Sequence, residues 1–439
     1  MTTVAPGVRT SAVWPVLCGV ALLAGAVAAG IGGLSLVDAL AATGLPDPGP
    51  ATTYGLPFVR AVGEIAGAVA VGSFLMAAFL VPPQRNGVLD AGGYRALRTG
   101  TAAAGVWTVC AMLMVPLTVS DITGAPLTSR LSPVDIWTVA SMVETAGTWR
   151  WTALLAGIVT LISIPVLRWS WTPVLLAGSL VTLLPLALSG HSSSGGAHDV
   201  ATNGLLIHLI AAVVWAGGLM ALWVLAVRGG EHIDVAARRF SAIALWCFAA
   251  MAVSGVVNAL VRVRPAELVS TTYGLLLLGK ATALVALGVL GWLQRRRSVA
   301  ALADDPAARR PLIQLALVES LVFGVTFGLA VALGRTPPPP LAELPSITAV
   351  EIGYDLAGPP TLARVLFDWR FDLIFGTAAI VAAAIYIAGV VRLRRRGDGW
   401  PAGRLVAWLT GCLMLLFTSS SGVKAYGSAM FSVHMAEHM

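Results

Sequence analysis

Charge is scarce in this sequence. Asp, Glu, Lys and Arg make up 11% of its 439 residues, less than half the roughly 25% of an average soluble domain. That scarcity excludes a water-soluble fold, because 57% of the residues are hydrophobic and so much apolar surface needs a charged shell to be covered in water. Lysine is almost missing: of 28 basic residues only Lys280 and Lys424 are lysine. Cysteine is sparse and unpatterned. Cys18, Cys110, Cys247 and Cys412 each stand alone in an apolar stretch, which leaves no CxxC-type centre and makes them small buried hydrophobes. No Walker-type phosphate loop is present, so the chain carries no ATP-driven motor of its own. No internal repeat organises it either.

The sequence does hold long apolar runs, and the mean hydropathy is +0.84. A bilayer-spanning helix needs about 20 apolar residues. Such runs lie near 13–36, 58–81, 100–119, 149–168, 171–189, 204–227, 239–261, 273–294, 311–333, 371–391 and 404–418. The fold class they predict is all-α: a polytopic transmembrane bundle of about 11 helices. The first run lacks a strongly basic start and a small-residue cleavage site before Asp38, so it reads as an uncleaved helix rather than a signal peptide.

The net charge of +7 points to membrane topology and not to nucleic acid, because the arginines cluster in short loops between the runs. With the N-terminus inside, 18 of the 28 basic residues fall on the inner side, among them Arg295, Arg296, Arg297, Arg309, Arg310 and Arg392 to Arg396. The positive-inside rule therefore predicts N-terminus inside and the segment 419–439 outside. Four regions follow: helices one to three with an outer loop at 1–145, a second membrane domain at 146–335, a Pro-rich outer linker at 336–367 containing Pro337 to Pro340, and a partial membrane domain at 368–439. The chain closes on His438 and Met439 with no cap, glycine or polar tail, which reads as a longer protein cut short.

Five of the six histidines fall on or near the expected outer side. His191 and His198 flank a Ser/Gly loop that can fold two imidazoles onto one ion, or leave them as exposed polar residues. Two histidines are too few for a strong zinc site, yet they serve copper in concert with a third donor. His208 lies in the next helix, and Trp215, seven residues on, shares its face. Asn258 and Lys280 reach a similar depth on the two following helices. Ionisable groups in a membrane usually face the bundle interior or a water-filled path, so these residues define a polar site. Glu319 is the carboxylate expected to neutralise Lys280. A structural hydrogen-bond network is the alternative reading of this cluster. Met430, His434 and His438 recur every four residues and line one helical face, with Met435 and Met439 one position round. Imidazole suits copper, and thioether sulfur selects Cu(I); the alternative is a Met-rich apolar helix with interfacial histidines.

Two enzyme-like or redox readings compete. His434, Glu437 and His438 match the inverted zincin pattern H-x-x-E-H, but no third ligand and no soluble catalytic domain accompany it, so no enzyme is expected. A b-type haem wants paired axial histidines on facing helices, and only His208 lies clearly inside one.

Two stretches carry a family resemblance. The segment from His208 to Gly218 (H-x6-W-x-G-G), then Ser254-Gly255-x-x-Asn258, then Tyr273 through Gly279-Lys280, resembles the CopD family of copper resistance and uptake membrane proteins. Asp368-Trp369-Arg-Phe-Asp372, followed by Phe431-Ser-Val-His434-Met435-Ala-Glu-His438-Met439, is similar to the start of the CtaG family of cytochrome c oxidase assembly proteins. The resemblance implies a multi-pass protein of the plasma (inner) membrane that transports copper, with Cu(I) favoured, and supplies it for oxidase assembly. The expected partners are copper ion, the lipid bilayer, and oxidase subunits or an outer-face copper chaperone. A metal-free assembly scaffold is the alternative.

Overall fold

A computed structural model of the chain describes residues 12–43, 46–127, 132–188, 198–305, 307–339 and 346–438. The described residues are helical, with one isolated β-bridge joining Val88 and Arg168. They divide into two compact units, 1–190 with 208–340, and 191–207 with 341–439.

The first unit is built on α1 (Val13–Thr43), α2 (Pro50–Leu75), α3 (Ala91–Thr123), α4 (Pro133–Met142), α5 (Glu144–Ser163), α6 (Thr172–Val181), α7 (Leu184–Leu188), most of α8 (His198–Val227), α9 (Ile233–Arg262), α10 (Thr272–Leu293), the short α11 (Ala300–Asp304) and α12 (Arg310–Arg335). Local chemistry sets the ends. Asp90 caps α3, its carboxylate accepting from the backbone of Gly92 and Gly93 at 3.2 and 2.6 Å, and Gly124 closes that helix in the left-handed conformation at φ 64°. Ser132 and Asp135 form a capping box on α4.

Ten helices among the described residues are long and apolar enough to cross a membrane. The chain is thus an all-α, multi-pass membrane bundle, as its hydropathy predicts. The difference from eleven is α5, which starts before the expected run at 149–168 and ends at Ser163 short of its end, so that its apolar stretch is shortened and Arg150 falls within it. The run at 171–189 is also not one continuous helix. It breaks between α6 and α7 just before Pro185, whose ring and missing N–H do not fit a helix interior.

Close packing rests on small residues. A Cβ at Gly72 of α2 would lie 1.9 Å from the Gly217 carbonyl carbon, and one at Gly217 would lie 1.8 Å from the Ala68 oxygen. The backbones of α2 and α8 therefore touch where no side chain fits. Gly324 and Gly328 do the same for α12 against α1, where a Cβ would meet Val20 O at 3.0 Å and Ala24 O at 2.7 Å. Trp215 of α8 then fastens α9 and α12, edge-on to Phe248 at 5.7 Å and Phe323 at 5.1 Å.

Several arginines at the basic end terminate helices. Arg98 donates to Ile164 O and Ser163 O at 2.9 and 2.7 Å, and Arg239 to Phe79 O at 2.8 Å. Each places a cation on the carbonyls that end a helix. At the opposite end Arg335 of α12 makes a two-pronged ion pair with Asp121 of α3, at 2.8 and 3.2 Å.

The second unit holds α13 (Ile347–Ile352), α14 (Leu362–Phe367), α15 (Phe375–Arg395), α16 (Ala402–Ser420), α17 (Gly422–Gly427) and α18 (Phe431–His438). The helices α15 and α16 form a hairpin in which Tyr386 stacks on Trp408 with ring centroids 5.1 Å apart. Asp372 caps α15, accepting from Ile374 N and Phe375 N at 2.8 and 2.6 Å. Tyr426 is buried and donates to Gly358 O at 2.9 Å. Gly422 packs so tightly on Arg364 O that a Cβ would sit 2.1 Å from it.

Candidate functional site

His208 sits further into its helix than the polar sequence around it suggests. The helix α8 begins at His198 and not near residue 204, so ten residues, about 15 Å of rise, precede His208. The polar residues Asp199, Thr202 and Asn203 are tolerated because a helix end has unsatisfied amides that welcome them.

The imidazole Nδ1 of His208 lies 3.0 Å from the Ser254 hydroxyl of α9. Ser254 has one proton, and the hydroxyl lies 2.6 Å from Ala250 O with a weaker second contact to Met251 O at 3.3 Å. With its proton committed to the backbone, Ser254 accepts from His208 Nδ1–H. The hydrogen-bond network thereby places a proton on Nδ1, and in the neutral ring this is the tautomer in which Nε2 keeps its lone pair. The ladder continues along α9: Asn258 Nδ2 donates to Ser254 O at 2.9 Å, and Arg262 Nη1 donates to Asn258 Oδ1 at 2.7 Å. A Cβ at Gly255 would come within 3.9 Å of His208 Cε1, an ordinary contact.

Lys280 of α10 is within electrostatic reach of His208, Glu64 and Arg262. Glu64 of α2 is in turn held by Arg60, whose Nε donates to it at 3.0 Å, while the Arg60 guanidinium lies 5.9 Å from the Trp149 ring centroid. Above this cluster the turn joining α9 to α10 is clamped by Arg264, which donates to Glu267 and holds that carboxyl below the ordinary carboxylate range. Thr271 caps α10, accepting from Gly274 N at 3.0 Å.

The predicted site is therefore brought together in part. His208, Asn258 and Lys280 share one region. Glu319 does not join them: no ion pair links it to Lys280 among the described residues. The helices α10 and α12 run in opposite senses, so Lys280, eight residues from the start of α10, and Glu319, nine residues from the start of α12, are counted from opposite ends of the bundle and stand at different depths. Glu319 is 1% exposed, and its Oε1 has no hydrogen-bond partner among the described residues. The carboxylate whose charge acts on Lys280 is Glu64, which sequence reading passed over. Its signal was a charged pair, Arg60 and Glu64, four residues apart within an apolar run.

His191 lies outside the described residues, as does Met439. His198 opens α8 and His438 ends α18, but their side chains are not described. Met430 and His434 are one helical turn apart, with His434 N donating to Met430 O at 2.9 Å. Met430 is half-buried, and His434 and Met435 are exposed. No group of three His, Cys, Asp or Glu side chains able to hold a metal ion occurs among the described residues. The residues Asp368 to Asp372 have structural work: Asp372 caps α15, Trp369 meets Phe417 edge-on at 6.1 Å, and Asp368 Oδ2 makes a weaker, shared contact with Tyr426 OH at 3.4 Å.

Comparison with known proteins matches three family models in series. Residues 51–199 match copper resistance protein D-like, N-terminal domain, 234–333 match copper resistance protein D, and 384–439 match cytochrome c oxidase caa3 assembly factor. The chain is 32% identical over 446 residues to the uncharacterized protein ML1998 of Mycobacterium leprae, covering 95% of this chain and 61% of that protein. It is 31% identical over 442 residues to the uncharacterized protein Mb0105 of Mycobacterium bovis, covering 94% and 60%. A shorter match, 29% over 218 residues, covers 47% of this chain and 73% of inner membrane protein YebZ of Escherichia coli. The chain thus spans about 60% of the length of the mycobacterial relatives. No solved structure matches it. In sequence order the chain carries a copper resistance protein D-like N-terminal segment, a copper resistance protein D segment and a caa3 assembly factor segment, the fusion that its own motifs resemble.

Proposed function

We propose that this protein handles copper at the plasma membrane, moving Cu(I) from the outer face and supplying it for cytochrome c oxidase assembly, with no covalent catalysis. The observation that carries the reading is the His208–Ser254 hydrogen bond at 3.0 Å inside a membrane span. In the neutral imidazole, the form in which histidine binds a metal, it leaves Nε2 available, and it orients the ring from its second nitrogen as metal-ligating histidines usually are. On this reading His208 takes the ion in passing, with Met430, His434 and His438 as a soft donor face that hands Cu(I) onward. His191 and His198 collect it first. Passage past one imidazole and transient donors suits cargo, which must leave as well as enter.

The positive charge of Lys280 within reach of His208 favours a second reading, a metal-free scaffold for oxidase assembly. An anaerobic Cu(I) titration of the full chain, purified in detergent, separates the two. Copper handling requires binding that weakens in His208→Ala or in His434→Ala, and strengthens in Lys280→Met, which removes the repelling charge. Equal binding in wild type and in a variant lacking all six histidines leaves the scaffold. Copper uptake into vesicles holding the protein then distinguishes transport from a chaperone that binds without moving the ion.

A further inference from the structure

Four carboxylates lie within the ten helices able to span a membrane. Three are matched by an arginine: Glu64 with Arg60 at 3.0 Å, Asp121 with Arg335 at 2.8 Å, and Asp234 with Arg238 at 2.9 Å. Glu319 is the fourth. It is 1% exposed, no ion pair reaches it among the described residues, and its Oε1 accepts no hydrogen bond there. The elements packed against α12 have their charges engaged elsewhere. On α2, Arg60 and Glu64 hold each other. On α10, Lys280 is within electrostatic reach of Glu64, Arg262 and His208. On the π-helical segment Gln294–Val299, Arg295, Arg296 and Arg297 are exposed. On α1, Cys18 is exposed and Asp38 stands toward the far end of the helix. On α12 itself, Arg310 is exposed at the start and Arg335 is paired.

A lone carboxylate costs far more to bury than the neutral acid does. Such groups at membrane depth are expensive to keep and mark ion pathways and proton relays. Glu319 also belongs to the same interior as His208. Trp215, on the face of His208, meets Phe323 edge-on at 5.1 Å, and Phe323 is one turn along α12 from Glu319. Toward the arginine-rich end, the π-helical segment packed on α12 carries more buried polar groups. There Ser298 Oγ donates to Gln294 Oε1 at 3.0 Å, and Gln294 Nε2 has no partner among the described residues. A cation entering this interior shifts the balance at the carboxyl, since a positive charge favours the ionised form.

We propose that Glu319 is a proton-exchange site, which carries a proton until Cu(I) enters the bundle and then gives it up. The carboxyl O–H bond breaks, the proton leaves to water, and the carboxylate left behind balances the charge of the ion. No electron moves. The inference rests on the copper reading above. Its test is an anaerobic Cu(I) titration of the full chain in detergent and weak buffer. Infrared spectroscopy follows the carbonyl band of the carboxylic acid, and an indicator dye follows released protons. In wild type the acid band should fade as Cu(I) binds, with about one more proton released per Cu(I) than in Glu319→Gln. That variant copies the neutral acid in shape and charge, so it should keep the melting temperature of wild type while lacking the band. Two results overturn the proposal while copper binding stands: an acid band no weaker in Glu319→Gln, or a band that saturating Cu(I) leaves unchanged. Absence of Cu(I) binding in wild type overturns the copper reading, and this proposal with it.

Discussion

At the scale of single residues, the functional reading turns on one proton. Ser254 gives its hydroxyl proton to Ala250 O and so receives one from His208 Nδ1. In Ser254→Ala the imidazole loses that acceptor, and the tautomer protonated on Nε2 becomes accessible. Cu(I) affinity should then fall by about tenfold or more, the usual effect of removing a group that orients a ligating histidine. Nitrogen-15 NMR of histidine-labelled protein reads the tautomer directly. An unchanged spectrum in the variant would show that the hydroxyl does not set it. The pairing of His208 with Ser254 was not legible in the sequence, because 46 residues separate the two and a serine in a membrane helix usually bonds its own backbone. Lys280 was found by its charge. Its partner was misread, since Glu319 stands on the neighbouring helix α12 but its depth is fixed by the opposite run of α10 and α12. Glu64, whose charge does act on Lys280, stands on a helix distant in sequence.

At the scale of elements, backbone contact at glycine is the main device. Gly217→Ala would drive a Cβ to within 1.8 Å of Ala68 O and should destabilise the bundle by roughly 1–3 kcal/mol or more, the usual range for overpacking. Gly19→Ala is the matched control, because a Cβ there meets nothing within 4 Å. Thermal unfolding in one detergent compares them, and equal melting temperatures would show that α2 and α8 can separate without loss. The ion pair between Arg335 and Asp121 is a second test. Arg335 is 9% exposed and Asp121 26%, so Asp121→Ala leaves a nearly buried cation. The loss should be on the order of 2 kcal/mol, below the roughly 3–5 of a fully buried pair, since water still reaches the site. Arg335→Met in the same chain should recover part of it. The helices themselves were legible, since each is written as a long apolar run. Their ends were less so: Asp199 to Asn203 read as loop yet lie in α8, and Pro185 splits a run that hydropathy joins.

At the scale of the whole molecule, topology is the open quantity that sequence and fold approach from different sides. The arginine distribution predicts the loops around Ser132 and Ser346 on the outer face, and those around Arg85 and Asp305 on the inner face. Single cysteines at these four positions, in a chain whose native cysteines are replaced by serine, should divide accordingly. A membrane-impermeant maleimide added to intact cells labels the first two and spares the second two. Labelling of position 305 with sparing of position 346, while 132 stays labelled and 85 spared, would mean that α5 does not cross, and that ten crossings bring both ends to one side. The three family matches lie in series along the chain, and the two compact units part near residue 340.

The backbone contact between Gly72 and Gly217 bears on motion as well as stability. The helices α2 and α8 have 83% of their central window buried, against 17% for α9 and α10. Two helices locked glycine to glycine cannot roll over one another without a clash, so they behave as a stator. Ser254 and Lys280, the groups that address His208, ride on the pair that turns more of its surface outward. On the transport reading, any rearrangement around His208 is then left to helices other than this locked pair.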